Sequence, residues 1–221
     1  MKKFFLFSFL SFTSLVSAFG QGAYAPFNRD YYHMIERYEI LKGEMNPVFH
    51  TGVKPYRRDQ VTSFLDDYLT DSVSPENSVD KFNINYLRND NWEFSLSEPG
   101  NSTKPFLGKL YRKQSDFFHY RDSVFDVHIN PVLYLAGGRE TNQDEFRFRN
   151  TRGIELRGSI DRKIGFYTYL TTTQTVFPSW VGAYAENNGA VPGEGFWKEY
   201  GNEGYGYFSA MGHLTFNISK S

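Results

Sequence analysis

The chain contains no cysteine among its 221 residues. Disulfide bridges, thiolate zinc sites and lipid attachment through an N-terminal cysteine are therefore excluded. An excess of charge is missing as well, because 24 basic residues stand against 25 acidic ones. A protein that binds nucleic acid needs a basic surface to neutralise phosphates, so no nucleic-acid partner is expected.

The sequence also lacks the short motifs that identify common enzyme classes. It contains no G-x-S-x-G motif, no H-E-x-x-H motif and no glycine-rich phosphate-binding loop. Its five histidines are scattered without the spacing of a helical metal pair. We therefore expect a non-enzymatic protein with no catalytic residues, no metal site and no cofactor.

Long apolar runs are confined to the first twenty residues. Lys2 and Lys3 precede the apolar run Phe4–Val16, and small residues near Ala18 offer a cleavage site. This arrangement is typical of a secretory signal peptide, and the run is too short to span a membrane. We predict a signal peptide over residues 1–20 and an exported mature chain without a membrane helix.

The first part of the mature chain, residues 21–122, has mainly helical spacing. Apolar residues recur there at steps of three or four, as on one face of an amphipathic helix. We predict an N-terminal α-helical periplasmic segment. Its candidate helices, of which the third could instead be a short strand, cover residues 29–43, 54–71, 78–92 and 105–118.

The second part, residues 123–221, changes to a period of two. In the stretch NTRGIELRGSIDRKIGFYTYLTTTQ, Ile154 and Leu156 occupy one set of alternate positions, whereas Glu155 and Arg157 occupy the other. We call each set of alternate positions along a strand a parity, because its side chains point to the same face. Strict alternation predicts β-strands with one apolar and one polar face. Four such strands are predicted, over residues 124–136, 151–160, 164–174 and 206–219.

A short hairpin turn is predicted between the second and third strands. Ile160 and Ile164 share a face, so the three residues between them close the hairpin. This register places Gly158 opposite Phe166, where the aromatic ring can cover the bare glycine.

The other two connections, residues 137–150 and 176–204, are much longer. Short turns on one side and long loops on the other are typical of outer-membrane β-barrels. Aromatic residues make up 19% of the chain although its mean hydropathy is negative, and this suits strands whose aromatics lie at membrane interfaces. A soluble, aromatic-rich β-sandwich is the alternative, with the apolar face on a core instead of in lipid.

Candidate ligand-binding residues come from the polar parity and from the second long loop. A polar strand face would line the lumen of a barrel. Aromatic residues in the loop either stack on sugar rings or pack the loop against its neighbours. The candidates are Glu155, Arg157, Tyr167, Tyr169, Trp180 and Trp197.

An exported chain with a helical N-terminal segment, followed by INPVLYLAGG at 129–138 and by NTRGIELRGSIDRKIGFYTYLTTTQ at 150–174, resembles the capsule assembly Wzi family. The segments NRDYYHMIERYEI and FHTGVKPYRRDQV look like the N-terminal part of distant members in gliding and gut bacteria. The resemblance spans about residues 24–174 and is weaker in the last strand. It supports fold more than mechanism, since these segments are family signatures and not catalytic constellations.

The resemblance implies an outer-membrane antiparallel β-barrel with N-terminal helices at its periplasmic mouth. It implies location in the cell outer membrane and, as partners, outer-membrane lipid and surface polysaccharide, either capsule or lipopolysaccharide. The implied role is non-enzymatic assistance in the assembly or attachment of that polysaccharide. The alternatives are a gliding-motility or adhesion role and a soluble periplasmic carbohydrate-binding β domain.

The number of strands is small for such a barrel. Even small membrane barrels need about eight strands, and an open sheet edge in lipid would leave backbone groups unpaired. With four or five strands visible, the barrel is incomplete. We expect the chain to be a fragment of a longer protein or, failing that, to close by oligomerisation.

Overall fold

The computed structural model of the protein describes residues 23–25, 31–70, 77–95, 100–141, 143–161 and 163–216. The predicted signal peptide lies outside these residues. In the described part of the chain, three α-helices precede a large antiparallel sheet, and the protein is mainly β. None of the helices described is long and apolar enough to cross a membrane.

The N-terminal helices are α1 (Tyr31–Lys42), α2 (Arg58–Thr70) and α3 (Ser78–Asp90). They confirm three of the predicted helices and resolve the ambiguous third as a helix. Asn77 caps α3, because its side-chain oxygen accepts a hydrogen bond from the Asp80 backbone N–H at 2.7 Å. The apolar stripes of the helices meet in a shared core that contains Ile35, Tyr38, Val61, Phe64, Leu65, Tyr68, Ile84 and Leu87.

The helix predicted over residues 105–118 is wrong. The segment runs instead through turns and isolated bridges, which join Lys113 to Asn101 and to Asp116. Leu107, Gly108 and Tyr111 have φ angles of 52°, 65° and 49°. A right-handed helix cannot continue through positive φ angles, so the chain turns repeatedly here.

The main sheet contains six strands within the described residues, in the order β1-β2-β3-β4-β8-β7. All its neighbouring strands are antiparallel. The long strands confirm the four predicted from alternation, although the predicted residues 217–219 lie outside the described part. The strands are β1 (Phe118–Arg121), β2 (Phe125–Arg139), β3 (Phe146–Ile160), β4 (Ile164–Val176), β5 (Ala190–Val191), β6 (Gly195–Phe196), β7 (Lys198–Tyr200) and β8 (Gly204–Phe216).

The predicted hairpin register between β3 and β4 is confirmed. Ile160 pairs with Ile164, and Gly158 pairs with Phe166. A Cβ atom added to Gly158 would lie 2.7 Å from Cζ of Phe166, so the ring lies directly over the glycine.

The predicted loop over residues 137–150 is mostly wrong. β2 continues to Arg139 and β3 begins at Phe146, so the connection between them is short. The alternating Phe and Arg residues of FRFR at 146–149 continue the alternation of β3 and form the beginning of that strand. The loop predicted over 176–204 is confirmed as a long connection, and it contains helix α4 (Ser179–Asn188), the β5–β6 pair and β7.

In a water-soluble sheet the apolar face is buried and the polar face is exposed. In this sheet the polar face is buried and the apolar face is exposed. The polar parity faces inward, under the N-terminal helices and α4, and Arg157 at its centre is 1% exposed. The apolar parity faces outward, where Leu133 is 67% exposed and Leu214 is 64% exposed. We call these the inner face and the outer face.

The sheet is open at both edges in the part of the chain that the structure describes. β1 covers only residues 126–129 of β2, and β7 covers only residues 204–206 of β8. The described strands therefore do not form a closed barrel.

Candidate functional site

A buried ionic cluster joins the inner face of the sheet to the helical segment. Asp116 is its hub, and the carboxylate is completely buried. Its Oδ2 atom accepts a hydrogen bond from Trp92 Nε1 at 2.5 Å and contacts His128 Nδ1 at 2.8 Å. Its Oδ1 atom accepts hydrogen bonds from Arg157 Nη2 at 3.2 Å and from Asn130 Nδ2 at 3.3 Å.

Two buried arginines extend the cluster between the sheet and the helices. Arg157, from β3, pairs with Glu93 and also donates to the Asp90 backbone carbonyl at 3.1 Å. Arg58, from the start of α2, pairs with Asp90 Oδ2 at 2.8 Å and lies 4.0 Å from Glu155 Oε1. Each positive charge therefore has carboxylate neighbours, as a buried charge requires.

The pKa shifts in the helical segment agree with this compensation. Burial alone would raise the pKa of Asp116, but its contacts with His128, Trp92 and Asn130 hold that pKa below the ordinary aspartate value. Burial alone would lower the pKa of Arg58, but Asp90, Tyr31 and Glu155 hold it above the ordinary arginine value. Both groups are consequently charged at neutral pH.

The local fold explains how these side chains come together. Alternation along β2 and β3 places His128, Asn130, Glu155 and Arg157 on the inner face. On the helical side, α3 ends at Asp90 and leads into a short 3₁₀ turn, Trp92–Phe94, which carries Trp92 and Glu93 into the cluster. The end of α3 and the turn that follows it therefore lie against the charged side chains of the sheet.

A groove lies beside the cluster, between α3 and the inner face. Its volume is about 510 Å³, within the range of about 300–1,000 Å³ of small-molecule sites. Amide and carboxylate side chains form its polar lining, and tyrosine and phenylalanine rings form much of its apolar lining. The side chains include Phe82, Asn85, Tyr86, Asn89, Asp90, Tyr111, Gln114, Ser115, Asn130, Val132 and Glu155.

An aromatic cluster covers the other end of the inner face. Tyr205 and Tyr207 of β8 pack there against Phe177, Ala185 and Trp197. The rings of Trp197 and Tyr205 are 4.6 Å apart, and the indole N–H of Trp197 donates to the Ala185 carbonyl at 3.2 Å. This end is therefore held by ring packing, whereas the helical end is held by charge.

The structure separates the six predicted site residues into three groups. Glu155 and Arg157 are buried at the ionic cluster, and Glu155 also lines the groove. Tyr167 is buried on the inner face, where its ring stacks on His213 at 5.2 Å, and Tyr169 is half-buried on the same face.

The two loop tryptophans have different environments. Trp197 is half-buried, and its contacts match the packing alternative for the loop. Trp180 lies on α4 and is 72% exposed. Neither lines the groove, so the structure does not bring the six candidates into one site.

Several residues of the cluster were missed by reasoning from the sequence. His128 and Asn130 had a signal, because both lie on the polar parity of β2 that predicts the inner face. Asp116 and Glu93 had none, since they lie in segments without a repeating pattern. Among the described residues, no group of three or more histidines and carboxylates could hold a metal ion.

Comparison with known proteins adds no further constraint on the site. No family model, no curated protein and no solved structure matches this chain.

Proposed function

We propose that the protein is an outer-membrane β-barrel protein that assists the assembly or attachment of surface polysaccharide without acting as an enzyme. The observation that carries the membrane part is the inversion of the sheet, whose apolar face is exposed and whose polar face is buried. Lipid is the solvent in which such an outer face is stable.

The outer face has the extent that a membrane strand needs. On β2, every second side chain over the nine residues from Phe125 to Leu133 lies on the outer face, and these side chains are apolar. A tilted transmembrane strand needs about 9–11 residues. Toward the other end of these strands the outer face carries polar side chains among apolar ones, with Arg152 opposite Leu133 and Asn150 paired with Gln174 across β3 and β4.

Aromatic residues border the band at the end where the β3–β4 turn lies. Tyr120 of β1, Phe125 of β2 and Phe216 of β8 are all exposed on this side of the molecule. Aromatic belts at the level of the lipid headgroups are typical of membrane barrels. If the protein were water-soluble, this face would expose a large contiguous apolar patch to water. Monomeric soluble proteins rarely expose such a patch.

The polysaccharide part of the proposal is supported by the resemblance to the capsule assembly Wzi family and by the amide and aromatic lining of the groove. The helical segment would occupy the periplasmic mouth of the barrel, with its ionic cluster against the lumen-facing strands. Further strands would have to complete the sheet, because lipid cannot satisfy an open edge.

Fractionation and gene deletion test the two parts separately. We expect the full-length protein to enter the outer-membrane fraction and to need detergent for release. Recovery in the soluble periplasm would overturn the membrane part. We also expect the deletion strain to lose cell-bound polysaccharide, and a defect only in gliding or adhesion would favour those roles instead.

A further inference from the structure

We propose that the groove between α3 and the inner face binds a neutral saccharide segment and selects against uronate- or phosphate-bearing glycans. The inference deepens the proposed function, on which it rests for the presence of a glycan. The groove includes Glu155 but neither of the loop tryptophans Trp180 and Trp197, which are also among the candidates from the sequence.

The polar lining suits a ligand covered with hydroxyl groups. Asn85 and Asn89 contribute from α3, and Gln114 contributes from the segment that precedes β1. Each amide side chain carries both donors and an acceptor. Asn89 Nδ2 donates to Gln114 Oε1 at 3.1 Å, and the remaining donors and acceptors of the three amides can pair with sugar hydroxyls, which also donate and accept.

The groove also offers rings for the apolar faces of sugar rings. Tyr86 and Tyr111 line it and are exposed to solvent. Both rings are held by neighbours, because Tyr111 packs edge-on against Phe117 at 5.3 Å and Tyr86 packs edge-on against Tyr31 at 6.5 Å. A held ring loses little conformational entropy when a ligand stacks on it.

The charge of the lining gives the discrimination. Among the described residues, the charged side chains that line the groove are both acidic, Asp90 and Glu155. Arg58 partly neutralises their charge, because it pairs with Asp90 at 2.8 Å and lies 4.0 Å from Glu155. Arg58 is, however, almost completely buried and does not line the groove. Ionised carboxylates accept hydrogen bonds from hydroxyls and repel an anionic ligand, for which the groove offers no cation.

The test measures binding of the full-length protein, purified in detergent, to an immobilised array of neutral and uronate-containing bacterial oligosaccharides. We expect binding to neutral members and at least about tenfold weaker binding to their uronate-containing counterparts. Asn85→Ala and Tyr86→Ala should each weaken neutral binding by about tenfold. Both side chains are exposed on α3, so the variants are expected to fold.

Tyr184→Ala serves as the control, because the residue is exposed on α4 and does not line the groove. It should bind as the unchanged protein does. Trp180→Ala tests the competing loop candidate, which also lies outside the groove. The inference is overturned if only acidic glycans bind, if no glycan binds, if the groove variants bind normally, or if Trp180→Ala alone abolishes binding. Fractionation of the same protein reports on the outer-membrane proposal independently, so the two can fail separately.

Discussion

The two faces of the sheet are made by the same strands and differ in almost every physical respect. The inner face carries charges, hydroxyls and tyrosines, and it is covered by helices that supply matching groups. The outer face carries mostly leucine, isoleucine and phenylalanine, with polar side chains such as Arg152 and Asn150 toward one end, and it is left uncovered. The inner face therefore finds its partners within the chain, whereas most of the outer face has no covering element among the described residues.

The largest expected effect comes from removing the central charge of the inner face. Arg157→Ala leaves Glu93 and Asp116 without their buried cation. Breaking one side of a buried pair costs about 3–5 kcal/mol. The free energy of unfolding of the helical segment, followed by denaturant titration in detergent, should fall by that amount.

A matched control for Arg157→Ala lies on the outer face of the same strand. Arg152 is exposed and donates to Gln174 at 3.0 Å. Arg152→Ala should change the free energy of unfolding by less than about 0.5 kcal/mol. Equal costs for the two variants would mean that the faces do not differ as described.

The next effect places a charge on the outer face. Leu156 lies at the middle of the apolar band, because it pairs with Ile129, the central outward residue between Phe125 and Leu133 on β2. If that band lies in lipid, Leu156→Arg should cost about 2–4 kcal/mol in membrane assembly, because arginine near the midplane is poorly solvated. The yield of folded protein in outer membranes, read by heat-modifiable migration on gels, measures the cost.

Asn150→Arg controls for the introduction of an arginine on the same face. Asn150 lies beyond the apolar band, level with Gln174. Its cost should be no more than about 1 kcal/mol, since the penalty falls toward the interface. Normal assembly of both variants would argue that the outer face is covered by protein and not by lipid.

Much of the sheet could be predicted from the sequence, because alternation reports a local property of each strand. The position of β4, the part of β3 from residue 151 onward, the pairing of Gly158 with Phe166 and the polar parity through Arg157 all follow from a period of two. The parity also identified Glu155 and Arg157 as a pair on one face. A one-residue error in register would have reversed every assignment.

The partners of that face could not be predicted in the same way. Asp116 lies in a segment of turns, where positive φ angles replace a helix and no periodicity marks a buried carboxylate. Helix α4 lies in a stretch rich in Gly and Asn that has the composition of a loop. The groove depends on how α3 packs on β2 and β3, and this tertiary arrangement has no signature in either segment alone.

A smaller effect tests how closely neighbouring strands approach each other on the outer face. A Cβ atom at Gly158 would lie 2.1 Å from the Asp126 backbone oxygen and 2.7 Å from the Phe166 ring. Gly158→Ala should therefore destabilise the sheet by about 1–3 kcal/mol. Gly138→Ala is the control, because nothing lies within 4 Å of its added Cβ atom, and equal thermal unfolding of the two variants would contradict the close approach.

The smallest expected effect is a pH dependence of the inner face. The pKa of Asp116 is lowered in the folded protein, so its contribution to stability is fully present above the unfolded aspartate pKa of about 3.9. That contribution is lost as the pH falls through the lower, folded pKa. Limited proteolysis of the helical segment should thus proceed at a constant rate from pH 7 to pH 5 and accelerate below about pH 4, once corrected for the protease's own pH profile. Asp116→Asn should be cleaved faster at pH 7 and should show a shallower acid response, and an unchanged acid response in this variant would place the titrating group elsewhere.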